Sequence, residues 1–204
     1  MDSSRAWCRT AGRAVAAVAI TVGVAGCSSE SVAVGAAGSE AVSSAVATTT
    51  STALSPRDEA VAAAKKTYEQ YTLVANDVAH GGGSDTAALD DVAVGEALLA
   101  QKNIAKLLSE KKYRGVGDIE VVSMEAVKVN LKTDPDTYTV PEVILNVCED
   151  QSNIDAVNEA GKSVRGADSP DYRQAKISVS YYPDRGGVDG WFVNSDRDTG
   201  TEKC

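Results

Sequence analysis

The stretch Gly115–Leu131, GVGDIEVVSMEAVKVNL, marks the point where apolar residues stop recurring every three or four positions and begin to alternate. Val127, Val129 and Leu131 alternate with Lys128, Asn130 and Lys132, which sorts the two sets onto opposite faces of a pleated strand. A strand over Ile119–Leu131 is therefore expected, ended by the turn Asp134-Pro135-Asp136. The same period continues downstream. Tyr138–Cys148 reads as a second strand, with Pro141 marking an edge or bulge because proline cannot donate to a ladder. Ile154–Val157 and Lys162–Val164 flank the turn Asn158–Gly161. Tyr172–Tyr182 sets Ile177, Val179 and Tyr181 against Lys176, Ser178 and Ser180. Gly190–Asp196 closes the series after the glycine turn at Arg185-Gly186-Gly187.

Upstream of Gly115 the period is helical. Ser55-Pro56-Arg57-Asp58 combines a serine N-cap, proline at the first helical position and an acid in the first turn. Val61, Ala64, Tyr68, Tyr71, Ala75 and Val78 then line one face as far as His80, where Gly81-Gly82-Gly83 stops the helix. Asp85 is placed to cap a second helix over Thr86–Val94. A third is expected from Gly95 to Lys112, with Leu98, Ile104, Leu107 and Leu108 inward and Lys102, Lys106 and Lys111 outward. Helices followed by antiparallel strands give an α+β order. The expected fold is three N-terminal helices packed on a curved antiparallel sheet of four to six strands that wraps the first helix.

The chain has 204 residues, 43% of them apolar and 24% charged, which suits one globular domain with appendages. Arg5, Arg9 and Arg13 make a basic start, and Ala14–Val24 is an apolar run about half as long as the ~20 residues that a membrane-spanning helix needs. This is the pattern of an export signal over residues 1–26. The run ends in Val24-Ala25-Gly26-Cys27, which resembles a bacterial lipobox: small residues suit the lipoprotein signal peptidase, and the Cys27 thiol is the atom that takes a diacylglyceryl group. Membrane attachment by that lipid, on the outer face of the cell membrane, is what the resemblance implies.

Residues 27–55 then read as the lipidated cysteine and a flexible Ser/Ala/Thr tether, since they lack the large apolar surface needed to offset chain entropy. A coil of that length spans about 30 Å root-mean-square. An unmodified spacer is the simpler reading of its Thr48–Thr52 run than an O-glycosylated one. The globular domain is assigned to residues 56–204. With Cys8 in the signal and Cys27 at the anchor, Cys148 and Cys204 remain, and an even remainder in an exported chain favours one disulfide over two free thiols or a metal pair.

The Val147-Cys148-Glu149-Asp150 segment and Gly190-Trp191-Phe192-Val193, in a last strand before a terminal cysteine, resemble the NTF2-like (SnoaL-like, cystatin-like) domains of secreted actinobacterial lipoproteins. The resemblance implies a conical sheet, with Tyr68, Tyr71, Tyr181 and Trp191 as candidate pocket lining. It implies no activity, because such folds host many functions.

Removing residues 1–26 takes away three arginines and one aspartate, which moves the net charge from -9 to -11. A surface of that sign repels phosphate polymers, so no nucleic-acid partner is expected. No catalytic residue, metal site or cofactor is assigned. His80 is the only imidazole and sits where a helix dipole favours it. Asp90-Asp91, Asp134-Pro135-Asp136 and Asp196-Arg197-Asp198 lack the spacing of a calcium loop and read as solvated turns and caps. No glycine-rich phosphate loop and no nucleophile elbow is present. The leading expectation is a non-catalytic envelope lipoprotein that binds a protein, glycan or lipid. The rivals are a pocket enzyme or small-ligand carrier, and a phage-derived lipoprotein that excludes superinfecting phage.

Overall fold

A computed structural model describes residues 54–204. Cys27, the lipobox and nearly all of the tether lie outside the described residues. The first helix, α1, runs Pro56–His80. Ser55 Oγ accepts the Asp58 backbone N–H at 3.2 Å, so the serine cap and the proline at the first turn do what their positions dictate. Its buried stripe includes Ala64, Tyr68, Tyr71, Val74 and Val78.

The expected second helix does not form. Asp85 Oδ1 does accept the Ala87 N–H at 3.1 Å, but the turn it caps is a five-residue 3-10 segment, Ala87–Asp91. Val92 closes that turn, and Val92, Ala93 and Val94 are buried and bonded to the last strand, through Val94 N–H to Val193 O at 2.8 Å and Val193 N–H to Val92 O at 3.0 Å. β-branched residues at 92 and 94 gain more from that edge pairing than from another helical turn.

The second helix of the structure, α2, is Gly95–Lys111. The residues it buries are Ala97 and Ala105; Leu98 packs partly buried against the same core, as expected, whereas Ile104 is 49% and Leu107 53% exposed. The α1 exit turn comes against the α2 backbone: a Cβ on Gly83, which has φ of +73°, would lie 1.9 Å from the Ala105 carbonyl oxygen. Only glycine at position 83 permits that contact.

The strands are β1 Arg114–Val116, β2 Glu120–Asn130, β3 Glu142–Asp150, β4 Asp155–Val157, β5 Tyr172–Tyr181 and β6 Trp191–Gly200. They make two antiparallel sheets, not one. Four strands pair in the order β2-β3-β5-β6, and β1 pairs with β4 separately, with Gly115 opposite Ala156. The expectation of three helices on a single conical sheet of four to six strands is thus corrected, among the described residues, to two α-helices with a four-stranded and a two-stranded sheet. The segment 154–157, read as one arm of a short hairpin or β-turn, does pair locally, with Val164 N–H donating to Ala156 O at 2.7 Å and Asn158 N–H to Lys162 O at 3.0 Å, and it also pairs with β1, the strand that follows α2, a long-range contact that leaves no local signal in the sequence.

In β2 the simple alternation breaks. Register shifts at Val121/Ser123 and Ala126/Lys128 insert bulges, so Val121, Met124, Ala126 and Val129 are the residues packed toward the core, while Val122 and Val127 are exposed. In β5 the alternation holds, and Ala175, Ile177 and Val179 are buried opposite Val147, Leu145 and Val143 of β3. Pro141 and Tyr138 precede β3 rather than lying in it.

Cys148 and Cys204 are joined by a disulfide, with Cα atoms 6.2 Å apart and a sequence separation of 56. Unreduced protein should therefore weigh less than the dithiol form by the two thiol hydrogens. Cys204→Ser should lower unfolding free energy by about 4 kcal/mol, the chain-entropy value for a loop of that size. Gly83→Ala should cost more than about 1 kcal/mol in urea unfolding, because it combines a left-handed backbone with a clash against backbone atoms.

Candidate functional site

Tyr68 and Tyr71 lie three residues apart on α1, which puts both rings on the face that meets the four-stranded sheet, with centroids 5.8 Å apart. Both are buried, at 0% and 2% exposure. Opposite them the sheet presents polar groups instead of more hydrocarbon. Glu149 of β3 and Arg173 of β5 are register partners, and Asp196 and Asp198 of β6, two residues apart on one face, bracket the same guanidinium.

The bonds form one connected set. Tyr68 donates its hydroxyl to Glu149 Oε1 at 2.6 Å, and the Arg173 Nη1 donates to Glu149 Oε2 at 3.1 Å. Gln151 Nε2 donates to that same Oε2 at 3.1 Å. Arg173 also donates through Nη2 to Asp196 and through Nε to Asp198. Tyr71 donates to Asp196 Oδ2 at 3.3 Å and accepts from Gln101 Nε2 at 3.0 Å. Three edges of one planar cation thus serve three carboxylates, which only an arginine can do. Among the described residues every buried side-chain nitrogen and oxygen has a partner.

Burial pushes the hydroxyls of Tyr68 and Tyr71 well above the usual phenol range, and the carboxylates beside them, Glu149 and Asp196, push the same way. Burial also lifts the Asp196 carboxyl above its ordinary value, although Arg173 pulls against it. Burial works against the Arg173 charge, yet Asp196 and Glu149 together raise the guanidinium above its normal range. Both phenols stay protonated and act as donors. Arg173 lies between the carboxylates, and the arrangement clamps α1 to β3, β5 and β6.

The four aromatic residues named from the sequence separate into two pairs. Tyr68 and Tyr71 join the clamp. Tyr181 and Trp191, register partners with ring centroids 5.2 Å apart, line a different cleft of about 350 Å³ beside Pro56, Ala60 and Leu131. His80 is a helix-end residue whose Nε2 lies 2.8 Å from the Gly117 carbonyl. Asp90 is taken by Lys102 at 2.8 Å, and Asp134 Oδ1 accepts the Asp136 N–H at 3.0 Å. Among the described residues no group of three or more His, Cys, Asp or Glu side chains is placed to hold a metal ion.

Asp196-Arg197-Asp198, read as a solvated turn, is instead strand, and this corrects the sequence reading. Asp196 is buried against Arg173, Asp198 reaches the same cation while 76% exposed, and Arg197 points the other way to Glu96 at 2.8 Å. Sequence reasoning also missed Glu149, Arg173 and Gln101. The available signal was a charge at an inward-facing position in each of β3 and β5.

No family model matches the chain, and no curated protein matches it. Among solved structures, the intermembrane space region of the chloroplast protein ARC6 is similar, with a TM-score of 0.46 and 12% identity over 72% of this chain and 99% of that one. At that level neither activity nor partners carry over. No helix among the described residues is long and apolar enough to cross a membrane.

Arg173→Met leaves Glu149 and Asp196 buried without a cation and should cost about 3–5 kcal/mol of unfolding free energy. Asp196→Asn keeps an oxygen for Arg173 and turns its amide NH2 toward the Tyr71 oxygen while removing a charge that burial opposes, so it should cost far less. Because burial raises the Asp196 value in the fold, the stability it contributes is complete below its ordinary 3.8 and declines as pH rises through the raised folded value. Urea midpoints measured across that acid range should show the decline in the parent and its loss in Asp196→Asn.

Proposed function

We propose that this chain is a non-catalytic binding module of the cell envelope, held to the outer face of the membrane by a diacylglyceryl group on Cys27. The observation that carries the reading is the fate of the acid–base groups in the core. Tyrosine and buried carboxylate are the ingredients of a proton-transfer site, but here Tyr68, Tyr71, Glu149 and Asp196 all spend their hydrogen bonds on one another, Arg173 and two glutamines. A polar network so saturated specifies a unique packing and holds helix to sheet. Work on a partner then falls to the outer surface and its clefts.

The anchor half of the reading rests on Val24-Ala25-Gly26-Cys27 at the end of an apolar run too short to span. The tether over residues 28–55 is long enough to stand the domain clear of headgroups, and the acidic balance leaves the lipid rather than surface charge to hold the membrane. A protein, glycan or lipid of the envelope is the class of partner such a module meets.

Cells grown with labelled palmitate should incorporate label into the parent chain and none into Cys27→Ser, which should remain unprocessed or be released into the medium. Label in the Cys27→Ser protein would overturn the anchor.

A further inference from the structure

Beneath the exposed edge of α2 lies a half-open cavity of about 220 Å³ lined by α1, α2 and the two-stranded sheet. Its walls are mostly hydrocarbon: Ile104, Leu108, Val116, Ile119 and Ile154 face one another there. It exists because α2 packs through Ala97 and Ala105, which leaves the larger side chains at the rim, with Ile104 and Val116 partly open to solvent.

Three polar side chains reach the wall. Asn76 is satisfied by the Ile119 backbone, accepting its N–H at 3.2 Å and donating to its carbonyl at 3.4 Å. Asp155 Oδ1 accepts from Ser163 Oγ at 2.9 Å and from the Ala156 N–H at 2.6 Å. Gln101 differs. The single Tyr71 proton goes to Asp196, so Tyr71 must accept from the Gln101 amide nitrogen, which fixes the amide's orientation. Its carbonyl oxygen, Oε1, has no protein partner among the described residues and is not a buried atom, so it stands open to solvent.

We propose that this cavity is a binding site for a small neutral alcohol: a hydrocarbon body that fills the apolar walls and one hydroxyl whose proton goes to Gln101 Oε1. A dry cavity of about 150 Å³ accommodates benzene, so one of this volume holds about nine heavy atoms. The Asp155 carboxylate at the wall and the acidic balance of the chain disfavour an anion such as a fatty acid. A hydroxyl replaces the water on this open acceptor with a bond of its own, whereas an ether of the same shape displaces that water and returns no donor. The proposal names a ligand class for the binding role above and rests on that role, but not on the Cys27 anchor.

The test is titration of the purified full chain with 1-octanol, 1-methoxyheptane, which has the same number of heavy atoms and no donor, and octanoate. Binding is followed by calorimetry and by the amide shifts of Ile104, Val116 and Ile154. Octanol should bind saturably, the ether at least about tenfold more weakly, the cost of one unmatched hydrogen bond, and octanoate more weakly than octanol. Ala75→Leu, which fills the cavity from α1, should abolish binding, and Val116→Trp at the rim should do the same if the first variant fails to fold. Gln101→Leu should make octanol and the ether equivalent. Absence of saturable octanol binding, equal affinity of octanol and ether for the parent, or octanol binding undiminished in a folded cavity-filling variant would each overturn the proposal. Palmitate labelling of Cys27 is unaffected by any of these results, so failure of the ligand site and failure of the anchor are separable.

Discussion

The guanidinium of Arg173 holds together four elements that hydrocarbon contacts alone would leave free to slide. It meets Glu149 on β3 and Asp196 and Asp198 on β6, and through Glu149 and Asp196 it reaches both tyrosines of α1. A buried ion cluster is a weak source of net stability, because removing the charges from water costs about as much as their attraction returns. Its effect is on register. Shifting β5 by one residue would turn Arg173 to the outer face and leave Glu149 and Asp196 as unpaired charges under α1, an alternative disfavoured far more strongly than any loss of apolar contact.

The two helices use opposite packing logic. α1 inserts large side chains, Tyr68 and Tyr71 among them, between the polar cluster and the apolar sheet face. α2 approaches through alanines, allowed by the glycine turn that brings Gly83 against Ala105. Close backbone approach on one side leaves Ile104, Leu107 and Leu108 with too little to pack against on the other. The exposed leucines and the cavity under the α2 edge therefore share a cause, and Gln101 bridges that cavity to the clamp through Tyr71.

Neighbouring residues of β3 fasten two different parts of the chain. Glu149 points inward and ties the strand to α1, while Cys148 points outward and takes the terminal Cys204. The tail between β6 and that disulfide crosses the outer face of β5, where Gln174 Nε2 donates to the Glu202 carbonyl at 3.3 Å. One strand thus secures the helix layer on one side and the end of the chain on the other.

Periodicity and punctuation in the sequence determined what is local: α1 from its Ser55 cap to the glycines after His80, a helix after Gly95, and strands wherever alternation began. These depend on side-chain spacing and on backbone preferences within a few residues, which the sequence carries explicitly. Tertiary structure alone decided the rest. The segment 92–94 became an edge partner of β6 because Val193 was there to bond it, β1 and β4 made a sheet of their own from distant pieces, and the bulges of β2 moved Val122 and Val127 out of the core. Asp196, one member of an ordinary acid pair by sequence, became the buried partner of Arg173 because the pleat of β6 aimed it inward across from β5. A charge's role depends on what faces it across the fold, and that neighbour lies far away along the chain.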